Sequence, residues 1–145
     1  MDTRSARFLR RLAEMGTLLG FDYGPAKIGV AVGQTVTATA SPLVTLRAVA
    51  QKPDWNGISR LIESWKPDGL VVGLPHNMDD SEAEIALQAR RFSRQLAGRY
   101  RLPVHLIDER LTSLEARRLK RPKNIEELDA LAAKLILETW LSEQQ

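Results

Sequence analysis

The 145-residue chain has no cysteine, which excludes disulfides and thiolate metal sites. Its two histidines, His76 and His105, lack the spacing of a paired zinc motif. No apolar run approaches the roughly 20 residues that span a bilayer. The opening MDTRSARFLRRLAEM carries arginines but no continuous apolar stretch, so it does not read as a secretory signal. The expectation is a cytoplasmic protein without a membrane partner. What is present is an ordinary globular composition, long enough to bury one real core. The formal net charge of +3 admits a polyanionic partner without requiring one.

The stretch Leu18–Gly33, LLGFDYGPAKIGVAVG, organises the rest. The apolar run Leu18–Phe21 reads as a buried strand that ends on Asp22. Gly24-Pro25-Ala26-Lys27 has turn chemistry, and Ile28–Val32 reads as a returning strand. Thr35–Ala48 is rich in β-branched residues and predicts a third strand, with Pro42 at an edge or bulge. Asp54 precedes a helix carrying Trp55, Ile58, Leu61, Ile62 and Trp65 at helical spacing, stopped by Pro67. Gly69–Leu74 has the continuous apolar character of a strand buried on both faces.

Ser81 and Glu84 form a capping box for a second helix, whose apolar face is Ile85, Ala89, Phe92 and Leu96. Arg90, Arg91 and Arg94 fall on its other side, as a solvated face or as a phosphate-contacting patch. Pro103–Ile107 predicts another strand. Thr112 with Glu115, and Asn124 with Glu127, offer capping pairs for two further helices. In the last of these, Leu128, Leu131, Ala132, Leu135 and Ile136 face inward. Residues 1–16 are an N-terminal extension, and 17–145 form a single domain. The fold class is α/β, with a mixed five-stranded sheet and helices on both faces. The first three strands are antiparallel, and the later ones lie parallel to the first.

Ligands of such sheets gather at the carboxyl ends of the parallel strands. Asp22 ends the first strand and Glu109 ends the last, which would put both on one edge. Asp129 stands in the first turn of the final helix. Ala132 and Ala133 beyond it would let that helix approach the sheet closely. Three converging carboxylates repel one another, and a divalent cation relieves the repulsion. Oxygen-only ligands suit magnesium or manganese, and two such ions can clamp a scissile phosphate. Each acid also has a structural reading. Asp22 could cap a turn, Asp129 could complement a helix N-terminus, and Glu109 could pair with Arg110 at the surface.

Four ordered blocks, FDYGPAKIGVAVG, GLPHNMDDSE, IDERLTSLEARR and LDALAAKLIL, together resemble the bacterial pre-16S rRNA nuclease family, which is Holliday-junction-resolvase-like. The likeness runs from about Leu18 to about Glu138. It implies a ribonuclease-H-like fold and nuclease processing of the 5′ end of the small-subunit ribosomal RNA precursor. It also implies an acidic site on Asp22, Glu109 and Asp129 that binds Mg2+ or Mn2+. The expected nucleic-acid contacts are Lys27, Asn77, Arg90, Arg91, Arg94 and Arg110. The expected partner is precursor ribosomal RNA, held by a monomer or weak dimer. Alternatives are a resolvase acting on branched, four-way DNA and a non-catalytic ribosome-assembly factor. Pro25 stands where the family often has a hydroxyl residue, and Asp80 where glycine is usual.

Overall fold

The computed structural model describes residues 16–74, 80–108 and 125–144. Within them, five strands form one sheet: β1 Thr17–Asp22, β2 Lys27–Gln34, β3 Thr39–Arg47, β4 Gly69–Leu74 and β5 Val104–Asp108. Three described helices accompany them: α1 Trp55–Trp65, α2 Asp80–Tyr100 and α3 Ile125–Glu143. The strand order is β3-β2-β1-β4-β5. β1, β2 and β3 are antiparallel neighbours, while β4 pairs parallel with both β1 and β5. This is the mixed sheet that the alternation of apolar runs and helical patterns requires.

Side-chain alternation along the strands divides the core in two. Leu18, Ala31, Val71 and Ile107 pack with Ala133, Ile136 and Leu137 of α3. Leu19, Phe21, Val30 and Val72 pack on the other face with Ile58 of α1 and with Phe92 and Leu96 of α2. α1 starts where Asp54 accepts a 3.0 Å hydrogen bond from the Gly57 N–H, as an N-cap should. It ends at Lys66, whose left-handed backbone closes a 2.8 Å bond from its N–H to the Ile62 carbonyl just before Pro67.

The structure departs from the sequence reading at several points. The third strand starts at Thr39, not Thr35, because Thr35–Ala38 is a turn. There Thr35 serves the start of β1: its Oγ1 accepts from the Gly16 N–H, and its own N–H donates to the Gly16 carbonyl, both at 3.0 Å. α2 is under way at Asp80, so Ser81 lies in its first turn and not ahead of it. Trp65 is 40% exposed, whereas Trp55, Ile58, Leu61 and Ile62 pack on the core. Pro42 does mark a bulge on the edge strand: Val30 pairs with Val44 and Ala31 with Pro42, leaving Leu43 as the extra residue. The capping pairs Thr112–Glu115 and Asn124–Glu127, the side chain of Leu128 and the N-terminal extension to residue 15 lie outside the described residues.

His105 of β5 lies against Trp140 of α3, with ring centroids 4.8 Å apart. Burial lowers its pKa from the ordinary 6.5. The unfolded chain therefore takes up a proton near pH 6.5 that the folded chain resists. Stability from this site is complete above that pH. It declines as the pH falls further, until the folded-state value is reached. The melting temperature should accordingly drop on acidification from about pH 7.5 to about pH 5.5. In His105→Asn the drop should be shallower; an equal drop in both proteins would show that His105 is not its source.

Candidate functional site

The site is built at one corner of the sheet. β1 and β5 both run parallel to β4, so the chain leaves both strands at the same edge. Asp22 is the last residue of β1. Its register partners are Gly29 on β2 and Gly73 on β4. Neither has a side chain, so nothing at the flanking register positions crowds the Asp22 carboxylate. Alternation puts that carboxylate on the α3 side. Leu18 is in the α3 core and Gly20 lies under Leu137, whereas Leu19 and Phe21 belong to the opposite core.

α3 reaches this corner because the sheet beneath it is floored with glycine. A Cβ on Gly29 would overlap the backbone carbonyl of Asp129 and lie 2.9 Å from the Ala130 nitrogen. A Cβ on Gly20 would lie 3.0 Å from Leu137 Cβ, and one on Gly33 2.7 Å from Leu137 Cδ2. Glycine inside a strand is expected where another backbone comes this close. Gly29 stands directly opposite Asp22, so the contact seats Asp129 beside it.

Asp129 meets Lys27, the first residue of β2. The Lys27 ammonium is 3.0 Å from Asp129 Oδ2, with both side chains about a quarter exposed or less, at 25% and 21%. The same oxygen is buried and, among the described residues, has no aligned hydrogen-bond donor. The contact is thus an ion pair by distance whose direction is not that of a hydrogen bond. A buried carboxylate oxygen held by an ion pair that is not an aligned hydrogen bond is a suitable donor to a metal cation. The chemistry of the pair, oxygen donors alone, fits magnesium or manganese.

Among the described residues, no group of three or more His, Cys, Asp or Glu is placed to hold a metal. Asp22 and Asp129 are brought to one corner. Glu109, Asn77 and Arg110 lie outside the described residues. Arg90, Arg91 and Arg94 are all exposed on α2. Arg91 lines a cleft, shared with Tyr23 and Lys27. Burial raises the pKa of the Tyr23 phenol above 10.0, and the charge of Arg91 opposes that rise. Sequence reasoning overlooked the glycine floor and the Lys27–Asp129 pair. The first had a signal, since Gly29, Ala31 and Gly33 occupy one face of β2 at period two. The second joins residues far apart in the chain and had none.

A mixed five-stranded sheet in this order, with helices on both faces, is a ribonuclease-H-like fold. The family model RuvX, Holliday junction resolvase, matches residues 16–143, and the chain belongs to this family of nucleases. It is 52% identical over 133 residues to a protein of Nitrosococcus oceani named "Putative pre-16S rRNA nuclease", covering 88% of each chain. A Coxiella burnetii protein of the same name is 52% identical over 134 residues, covering 88% of this chain and 93% of its own. Among solved structures, the Fowlpox virus resolvase in complex with Holliday junction DNA has the same fold. Its TM-score is 0.54 at 10% identity, and the match covers 88% of this chain and 97% of that one. No helix among the described residues is long and apolar enough to cross a membrane.

Proposed function

We propose that the protein is a metal-dependent ribonuclease that hydrolyses phosphodiester bonds in structured RNA. The substrate we assign is the pre-16S rRNA, following the name borne by relatives at 52% identity, and the 5′ end is the end we assign on it. The observation that carries the metal site is the seating of Asp129 over Gly29, opposite Asp22. Among the described residues its buried Oδ2 has no aligned hydrogen-bond donor. Glu109, the residue after β5 in the chain, supplies the third carboxylate in this reading. Magnesium or manganese at these acids would neutralise charge on the scissile phosphate and polarise it toward attack by water.

The chain's own residues do the rest. Asp22 is presented by the central strand, paired on both sides, and so is held rigidly. Lys27 restrains the Asp129 carboxylate. The exposed arginines of α2 attract the phosphate backbone. Replacing Arg90, Arg91 and Arg94 by alanine should weaken RNA binding and flatten its salt dependence. The expected change is about 0.7–0.9 in log–log slope for each phosphate no longer neutralised. An unchanged slope would leave these arginines as a solvated face.

The function is tested by incubating the protein with a 5′-extended pre-16S rRNA fragment and, separately, with a four-way DNA junction. Each reaction is run with magnesium, with manganese and with chelator. Cleavage of the RNA only when metal is present supports the proposal. Metal-dependent cleavage of the junction alone favours the resolvase reading, which the name of the family motivates. Tight RNA binding with no cleavage of either substrate would make the protein an assembly factor.

A further inference from the structure

A cleft of about 500 Å³ opens on the face of the sheet opposite α3. The β1–β2 turn, the segment following β3, and α1 and α2 enclose it. Its lining includes Lys52, Arg91 and Arg99, together with Lys27, whose ammonium pairs with Asp129 of α3, and no Asp or Glu among the described residues. A surface that merely keeps a protein soluble mixes both signs. A pocket lined by one sign selects an anion.

The cleft also has an aromatic wall. The Arg99 guanidinium lies 4.0 Å from the ring centroid of Trp55. Trp55 and Tyr23 are in turn held by Phe92, at centroid separations of 5.6 and 5.1 Å. Phe92 is only 1% exposed, so the wall is anchored in the core. Aromatic rings and stacked guanidinium planes beside a cationic track are the means by which proteins hold unpaired nucleotides.

The opposite wall is a tight backbone turn. Val49 and Lys52 exchange N–H···O=C bonds of 2.8 and 3.0 Å. Ala50 and Gln51 between them both adopt left-handed backbone, with φ of 52° and 64°. Positive φ at both central residues is the pattern of a type I′ turn. The turn sets Gln51 and Lys52 on the cleft. Lys27 belongs both to this lining and to the ion pair with Asp129. Lys27, at the end of the β1–β2 turn, therefore borders both the cleft and the acidic corner.

We propose that this cleft holds a single-stranded segment of the nucleic-acid substrate, running on from the bond positioned at the acidic corner. Bases rest against Tyr23 and the Trp55–Arg99 stack, and phosphates lie on Lys52, Arg91 and Arg99. That the segment is part of a substrate rests on the nuclease reading; that the cleft binds unpaired nucleotides does not.

The probe is a fluorescein-labelled six-nucleotide single-stranded RNA, titrated in chelator against the full chain and against Lys52→Gln/Arg99→Gln. The double variant should bind at least tenfold more weakly. Its salt dependence should be flatter by about 1.4 in slope, about 0.7 for each of two phosphates. Lys52→Gln alone alters only an exposed turn residue and so leaves the fold intact; it should show about half that change. Tryptophan emission should be quenched by the oligonucleotide in the parent and much less in Trp55→Phe. Adenosine monophosphate should compete only at far higher concentration. Parental affinity and slope in the double variant would overturn the proposal, as would monophosphate binding as tight as the hexamer's. The same proteins, with Asp22→Asn, are assayed for cleavage. Cleavage by the parent together with unchanged hexamer binding by the double variant removes the cleft and leaves the nuclease. Unimpaired cleavage by Asp22→Asn, with hexamer binding abolished in the double variant, removes the acidic site and leaves the cleft.

Discussion

Asp22→Asn is expected to lower single-turnover RNA cleavage about a thousandfold while leaving a folded protein. Charge neutralisation of a phosphate by bound cations is worth several kcal/mol, and each 1.36 kcal/mol is about tenfold in rate. The substitution keeps the shape of the side chain at the end of β1 and removes one negative charge beside Asp129. Without metal the variant should be as stable as the parent or more so, because the repulsion between neighbouring carboxylates is reduced. In the parent, a cation held at about 100 times its dissociation constant adds about 2.7 kcal/mol of stability. Thermal melts across a manganese titration should therefore rise in the parent and barely move in the variant. RNA binding through α2 should persist. A variant that cleaves at the parent's rate and keeps its response to manganese would make Asp22 a turn residue only.

Gly29→Ala is expected to be the most damaging small substitution in the sheet, with a stability loss of about 3 kcal/mol or more. The added methyl would overlap the backbone of Asp129, and backbone has no rotamer with which to move aside. α3 must then lift from β2, which loosens the packing of Ala133 and Leu137 and carries Asp129 away from Asp22. Cleavage should fall with stability, although residue 29 bears no functional group. The control is Gly98→Ala in α2. A Cβ there meets nothing within 4 Å. Alanine is better than glycine in a helix by about 0.5–1 kcal/mol, so this variant should gain stability. Urea unfolding of both checks the pair. Equal midpoints for Gly29→Ala and the parent would mean that α3 does not sit on the sheet as described.

The sheet was legible because its strands announce themselves by different physics. Gly69–Leu74 is apolar throughout, as a strand covered on both faces must be. Ile28–Val32 returns after a turn whose chemistry is local. Strand direction then followed from the connections, since helical crossovers require parallel neighbours. Thr35–Ala38 misled because β-branched composition records a preference for a pleated surface, while Thr35 is used to close the entry to β1. Asp129 was placed near Asp22 on the strength of Ala132 and Ala133. The glycines of β1 and β2 also permit that approach, and the period-two spacing of Gly29 and Gly33 is a second signal of it. Trp55 looks like one more core position of α1. Its role under Arg99 depends on α2, which no pattern within α1 reports. The pairing of Lys27 with Asp129 is likewise a product of the fold and not of any local motif.

The central claim is that Asp22 and Asp129 hold a divalent cation between them. It is tested most directly by crystals of the full chain grown with manganese, read in an anomalous difference map. The expected result is an anomalous peak within coordinating distance of a carboxylate oxygen from each residue, with the Lys27 ammonium moved from Asp129 Oδ2. Crystals of Asp22→Asn grown the same way should lack it. A parent map with no manganese at this corner, and with Lys27 still paired to Asp129, would contradict the claim.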